Sequence, residues 1–159
     1  MTEQMTHFDT SHDTTRGPGL PDPARQPGFY QGTAPKRAIA WVIDGLIVFV
    51  LTLVVLPFTA FLGLLVYAAL WAVVGFIYRV GAITALSGTF GMRMMSLELR
   101  DADGHRFDFG QAFLHTAGYY ISVAVFPLQL VSILLMVGSE KGQGLTDHVL
   151  GTVALNRRA

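Results

Sequence analysis

The sequence predicts a mainly α-helical integral membrane protein: an antiparallel transmembrane helix hairpin, a third apolar segment bent at Pro127, and a small cytoplasmic β-element. Three observations carry this. Hydrophobic residues make up 52% of the 159 residues and charged residues only 14%, against about 25% charged in an ordinary soluble domain. Two apolar runs lie almost end to end, each near the roughly 20 residues that span a bilayer. Lys and Arg collect at the flanks of the apolar runs rather than within them. The formal net charge of zero argues against a nucleic-acid partner. The absence of cysteine excludes disulfides and thiolate metal sites.

Residues 1–36 read as a disordered tail. Five of the seven prolines fall there, among Thr, Asp, His and Gly, and such a stretch buries too little apolar surface to offset its ordering entropy. His7 and His12 are then solvated, and no metal site is expected. The first apolar run begins near Ala38, behind this polar segment, so it reads as a retained span and not as a signal peptide. No lipidation pattern is visible.

The membrane domain is expected over 37–156. Its first span, about 38–57, carries one charge, Asp44, and closes at Pro57. The second, about 60–79, is apolar up to Arg79. A two- or three-residue link makes the pair an antiparallel hairpin. Ala68, Ala72, Gly75 and Arg79 share a face, a small-residue stripe expected to pack on the first helix. Trp41 and Tyr78 near the open end suit an interfacial belt. After glycine-rich 80–92, Ser96–Arg100 alternates and Asp101–Gly104 signals a turn. A hairpin of 95–100 with 105–108 is expected, with Thr152–Leu155 as a third strand. Residues 109–139 carry no Asp, Glu, Lys or Arg. They are too long for one span and too short for two. Either one bent helix crosses, over about 115–137, or two short helices re-enter. Residues 157–159 form a basic tail.

Lys36 and Arg37 precede the first span, and Arg79, Arg93, Arg100 and Arg106 follow the second. The positive-inside rule places both groups, and the N terminus, in the cytoplasm. Lys141, Arg157 and Arg158 favour the same side, and with it the re-entrant reading.

Asp44 is the most informative residue. It lies about 9 Å inside the apolar run, where a carboxylate costs about 2.5–3.5 kcal/mol on insertion scales. It needs a cation or a proton. Arg37 shares its helical face, and Arg79 is expected to approach from the second helix. Asp147 would balance the second arginine if the C-terminal segment folds back. The expected polar cluster is therefore Arg37, Asp44, Arg79 and Asp147, with structural and functional roles equally open. Asp147 and His148 are adjacent and point apart on a helix, a poor metal site. His115, alone in an apolar run, reads as a packing residue. Glycine-rich 138–144 lacks the order of a phosphate loop, and no nucleophile–base pair or dinucleotide fingerprint is present. Neither an enzyme nor a cofactor is expected.

Three blocks of the chain carry a family resemblance. Lys36-Arg37 through Asp44, Ser87 through Gly104, and Gly142 through Thr152 occur in the order seen in the RDD family of bacterial multi-pass membrane proteins. The chain resembles that family over about 30–156. The resemblance implies a bacterial inner-membrane protein and a role in transport, since some members look like cation–proton antiporters. Two expectations follow: a small transporter or ion- and proton-translocating protein working as an oligomer, or a non-catalytic accessory subunit of a membrane complex. The family often has Arg where Gln111 or His115 stands here.

Overall fold

The computed structural model describes residues 19–59, 62–64 and 66–157. The tail up to residue 18, with His7 and His12, and residues 158–159 of the basic tail lie outside it. The elements are α1 (Thr33–Val55), α2 (Tyr67–Leu86), α3 (Phe90–Met94), β1 (Leu97–Arg100), α4 (Phe109–Ala124), α5 (Phe126–Gly138), α6 (Leu145–Leu150) and β2 (Val153–Asn156).

Two helical stretches, 27–59 and 67–86, are long and apolar enough to cross a membrane. On α1 the positions Ala40, Asp44, Val48 and Thr52 are buried. Their four-residue spacing is one helical face. The positions between them, including Leu46, Val50, Leu53 and Val54, are exposed and apolar, as a lipid-facing surface requires.

The first span starts earlier than the sequence suggests, and the second starts later. Pro35 falls in the first turn of α1, where a missing N–H does no harm. At the other end Pro57 breaks the α-helix into a short 3-10 turn over Leu56–Thr59, and a second such turn covers Leu62–Leu64. The link is therefore longer than two or three residues. The second span runs over 67–86 and not 60–79. This shift matters: Arg79 is not at the end of its helix but seven residues inside it. The small-residue stripe is used only in part. Gly75 is buried, and a Cβ there would meet Val48 of α1 and the hydroxyl of Tyr120. Ala72 is half-buried and Ala68 is exposed. The lengthened link moves Ala68 towards the hairpin's outer end. The main partner of α2 is instead α4, and that of α1 is α3.

The third apolar segment is an elbow. The chain bends by 117° between α4 and α5. The break is at Val125 (φ −104°, ψ 88°), and Pro127 sits in the first turn of α5. Pro127 has no N–H to donate to the carbonyl of Val123 and its ring would crowd that carbonyl, so α4 cannot run through it, whereas the first turn of a new helix tolerates it. Neither arm reaches 20 residues: α4 has 16 and α5 has 13. A capping box of Asp108 and Gln111 starts α4, worth about 1 kcal/mol. The chain then returns to the end of the molecule where α1 starts. Arg37 pairs with Asp147, Lys36 Nζ donates to Asn156 Oδ1 at 2.7 Å, and β2 pairs antiparallel with β1, Leu97 opposite Asn156 and Arg100 opposite Val153.

The sheet has these two strands alone among the described residues. The expected 105–108 strand is absent. The Asp101 carboxylate accepts from the N–H groups of Asp103 and His105, closing a tight turn. The Ser87 hydroxyl captures the N–H of Phe107. Leu97, Leu99, Phe107 and Ala154 form the core beneath α1, with Ile83, Met92 and Ala112.

The segment 19–36 is also folded, against the expectation of a tail reaching to residue 36. Tyr30 is buried with Val153 and Leu155, flanked by Leu20 and Phe29. Its hydroxyl donates to the Pro21 carbonyl at 2.7 Å. Asn156 Nδ2 donates to the carbonyls of Gly28 and Gln31. The apolar partner that proline-rich composition lacks is supplied by β2.

Candidate functional site

Asp44 is buried, with 1% of its surface exposed. Among the described residues no arginine reaches it. Oδ1 accepts from the Tyr78 hydroxyl at 2.7 Å and from the Gly91 N–H at 2.9 Å; Oδ2 accepts from the Thr89 hydroxyl at 2.5 Å. Thr89 caps α3, accepting from Met92 N–H while it donates to Asp44. Gly91 has to be glycine. A Cβ there would strike the carbonyl of Ala40 and come within 3.0 Å of the Asp44 carboxyl carbon. The close approach of α3 to α1 is what delivers the Gly91 N–H. The expected arginine partner is thus replaced by two hydroxyls and a backbone amide, which hold a carboxylate without a neighbouring cation.

Asp147 is fully buried and does pair with Arg37, Nη1 to Oδ2 at 2.5 Å. The same carboxylate accepts from Gly144 N–H at 3.0 Å and from the Thr152 hydroxyl at 3.0 Å. Burial alone would raise its carboxyl. The Arg37 guanidinium, His115 and the Gly144 N–H outweigh that and hold it below the usual carboxylate range. Arg37 also donates to the Gly142 carbonyl at 3.3 Å. Gly142 adopts φ +61°, and a Cβ on it would run into the Thr33 hydroxyl. One arginine thereby ties the start of α1 to α6 and the loop before it. His148, beside Asp147 in sequence, faces outward and is exposed.

Arg79 joins neither carboxylate. Its guanidinium carbon lies 4.5 Å from the centre of the Tyr119 ring. Tyr78, its neighbour, is the residue that reaches Asp44, so Tyr78 is an inward ligand and not a belt residue. Trp41 is exposed and donates Nε1–H to the Tyr119 hydroxyl at 2.6 Å.

The four charged residues share one feature. All line a single half-open cavity of about 970 Å³ between α1, α2 and the α4–α5 elbow. His115 and Thr116 line it too. Both are buried, and neither His115 Nδ1 nor the Thr116 hydroxyl has a hydrogen-bond partner in the structure. Nδ1 stands 3.6 Å from Asp147 Oδ1, beyond hydrogen-bonding distance. Ser122 and Gln129, across the elbow, bond each other at 3.1 Å beside the same space. The His115 ring sits edge-on to Phe107, as a packing residue does, and leaves Nδ1 without a partner among the described residues. Its single signal in the sequence was isolation in an apolar run. Thr89 and Thr116 gave no signal of their own, because a hydroxyl is common in apolar helices.

The RDD family profile matches residues 32–151, most of the chain, and the protein belongs to that family, whose members are membrane proteins. No curated protein matches the chain, and no solved structure does.

Proposed function

We propose that this RDD-family membrane protein is a multi-pass protein of the bacterial inner membrane, with its N terminus in the cytoplasm, and that it moves an ion or proton through the cavity between α1, α2 and the elbow. The observation that carries this reading is the set of uncommitted polar groups there. Buried polar side chains are as a rule hydrogen-bonded, yet His115 Nδ1 and the Thr116 hydroxyl have no partner among the described residues. An imidazole nitrogen without a partner is free to accept or donate a proton. Polar groups at membrane depth that face a cavity mark ion and proton pathways more often than packing. The protein works as a homo-oligomer, since two spans and an elbow close only part of the cavity wall. No catalytic reaction is assigned to it.

A second reading is a non-catalytic accessory subunit that docks in a larger membrane complex. The saturation of Asp44 favours it: a carboxylate with three donors is a structural lock and a poor relay. Purified protein in proteoliposomes separates the two. Under imposed pH and cation gradients the wild type should carry flux, and His115→Gln should reduce it by about tenfold or more, on the scale of lost acid–base groups. Absence of flux under every gradient, from protein that is folded and oligomeric, favours the accessory role.

A further inference from the structure

We propose that the cavity holds a phosphate oxyanion, carried by a membrane lipid or free in solution, against Arg79, Thr116 and Tyr119. The inference rests on reading this cavity as the functional centre and adds the class of its ligand. Arg79 stands seven residues before the end of α2 at Leu86, about 10 Å along the helix. The Tyr119 ring orients its guanidinium and supplies no negative charge. Among the described residues it has neither a carboxylate within salt-bridge distance nor a hydrogen-bond acceptor. An arginine at that depth is normally paired.

Three carboxylates line the same cavity: Glu140 is exposed to solvent, and the two buried ones are committed elsewhere. Asp44 is saturated by Tyr78, Thr89 and Gly91, and Asp147 by Arg37, Gly144 and Thr152. Donors, by contrast, are left over. The Thr116 hydroxyl is buried with no partner. The Tyr119 hydroxyl accepts from Trp41, which leaves its own proton to donate. Arg79 is thus left without a carboxylate partner among the described residues, and the Thr116 and Tyr119 side chains line the same space. The ligand that completes it is an anion rich in acceptor oxygens. A guanidinium fork pairs with two oxygens of a phosphate. Hydroxyls from a second helix suit its remaining oxygens better than they suit a flat carboxylate. Trp41, Val42, Ile133 and Val137 are exposed among the lining residues, an apolar surface that acyl chains would meet.

The test uses the full chain in detergent. It is exchanged into equal parts phosphatidylglycerol and phosphatidylcholine and read by native mass spectrometry. A parallel thermal-shift titration uses inorganic phosphate alone. Preferential retention of phosphatidylglycerol, weakened about tenfold or more in Arg79→Gln, supports a lipid head. Saturable stabilisation by inorganic phosphate, lost in the same variant, supports the free anion. Thr116→Val keeps the side-chain shape and should weaken either ligand by about threefold to tenfold, so the test stands even if Arg79→Gln fails to fold. Retention without headgroup preference together with no effect of phosphate overturns the proposal. So does binding that neither substitution weakens. Flux measured on the same preparations separates the two claims. Binding without flux removes translocation and leaves the anion site; flux without binding does the reverse.

Discussion

Gly91→Ala tests the contact on which the Asp44 site depends. The added methyl would collide with the backbone carbonyl of Ala40 and crowd the Asp44 carboxylate. Neither neighbour is the free end of a flexible side chain, so α3 has to move away from α1. Overpacking of this kind costs about 1–3 kcal/mol. Displacing the Gly91 N–H removes a 2.9 Å bond to a buried carboxylate, worth about 1.5–3 kcal/mol for a charged acceptor. Together the loss is about 2.5–6 kcal/mol, a large share of the 5–15 kcal/mol that holds a typical protein folded. Gly81→Ala is the control. It lies inside α2 with nothing within 4 Å of the added Cβ, so it should stabilise by about 0.5–1 kcal/mol through helix propensity. Reversible unfolding in detergent, compared across wild type and both variants, gives the numbers. If Gly91→Ala lies within about 0.5 kcal/mol of wild type, the α1–α3 approach is not as described and the reasoning for the Asp44 site fails with it.

Further outcomes follow from the same geometry. Asp147→Asn breaks a buried ion pair and should destabilise by about 3–5 kcal/mol, read in the same unfolding assay. The folded Asp147 carboxyl is held low. Its stabilisation is therefore fully present above the unfolded value of about 3.9 and is lost as pH falls below it. The wild type should lose stability on that acid limb, and Asp147→Asn should show a smaller loss there. An identical acid limb in the two proteins would contradict the assignment. Tyr78→Phe removes one donor to Asp44 and the acceptor of Phe90 N–H. It should cost about 1–3 kcal/mol, the cost of leaving buried polar groups unpaired, whereas the same change at a belt tyrosine would cost little.

Much of the fold was legible from two physical constraints. Bilayer thickness sets the length of an apolar run, and burying charge in lipid is expensive. Those constraints marked α1, α2, the awkward length of 109–139 and the importance of Asp44. They also gave the return of the C-terminal segment, because Asp147 needed a partner and Thr152–Leu155 needed a strand to pair with. What they missed depends on three-dimensional detail. The second span slipped by seven residues because the helix break at Pro57 continues through two 3-10 turns, and hydropathy does not mark where an apolar chain becomes helical. That slip carried Arg79 away from the helix end. Asp44 was assigned an arginine because charge is the partner a sequence displays; a glycine N–H and two hydroxyls are equally good ligands and are invisible until α3 is placed. Segment 19–36 folds through contacts with residues more than a hundred positions away, which local composition cannot report.

The account turns most directly on the elbow, since the Arg37–Asp147 pair and the cavity both require the chain to come back to the side where α1 begins. The chain has no cysteine, so single cysteines at Phe58, Asp103 and Glu140 can be read one at a time with a membrane-impermeant maleimide in intact cells. The account predicts labelling at position 58, and protection at 103 and 140 until the cells are permeabilised. Labelling of 140 together with 58, with 103 still protected, would mean that 109–138 crosses the membrane once, and would contradict it.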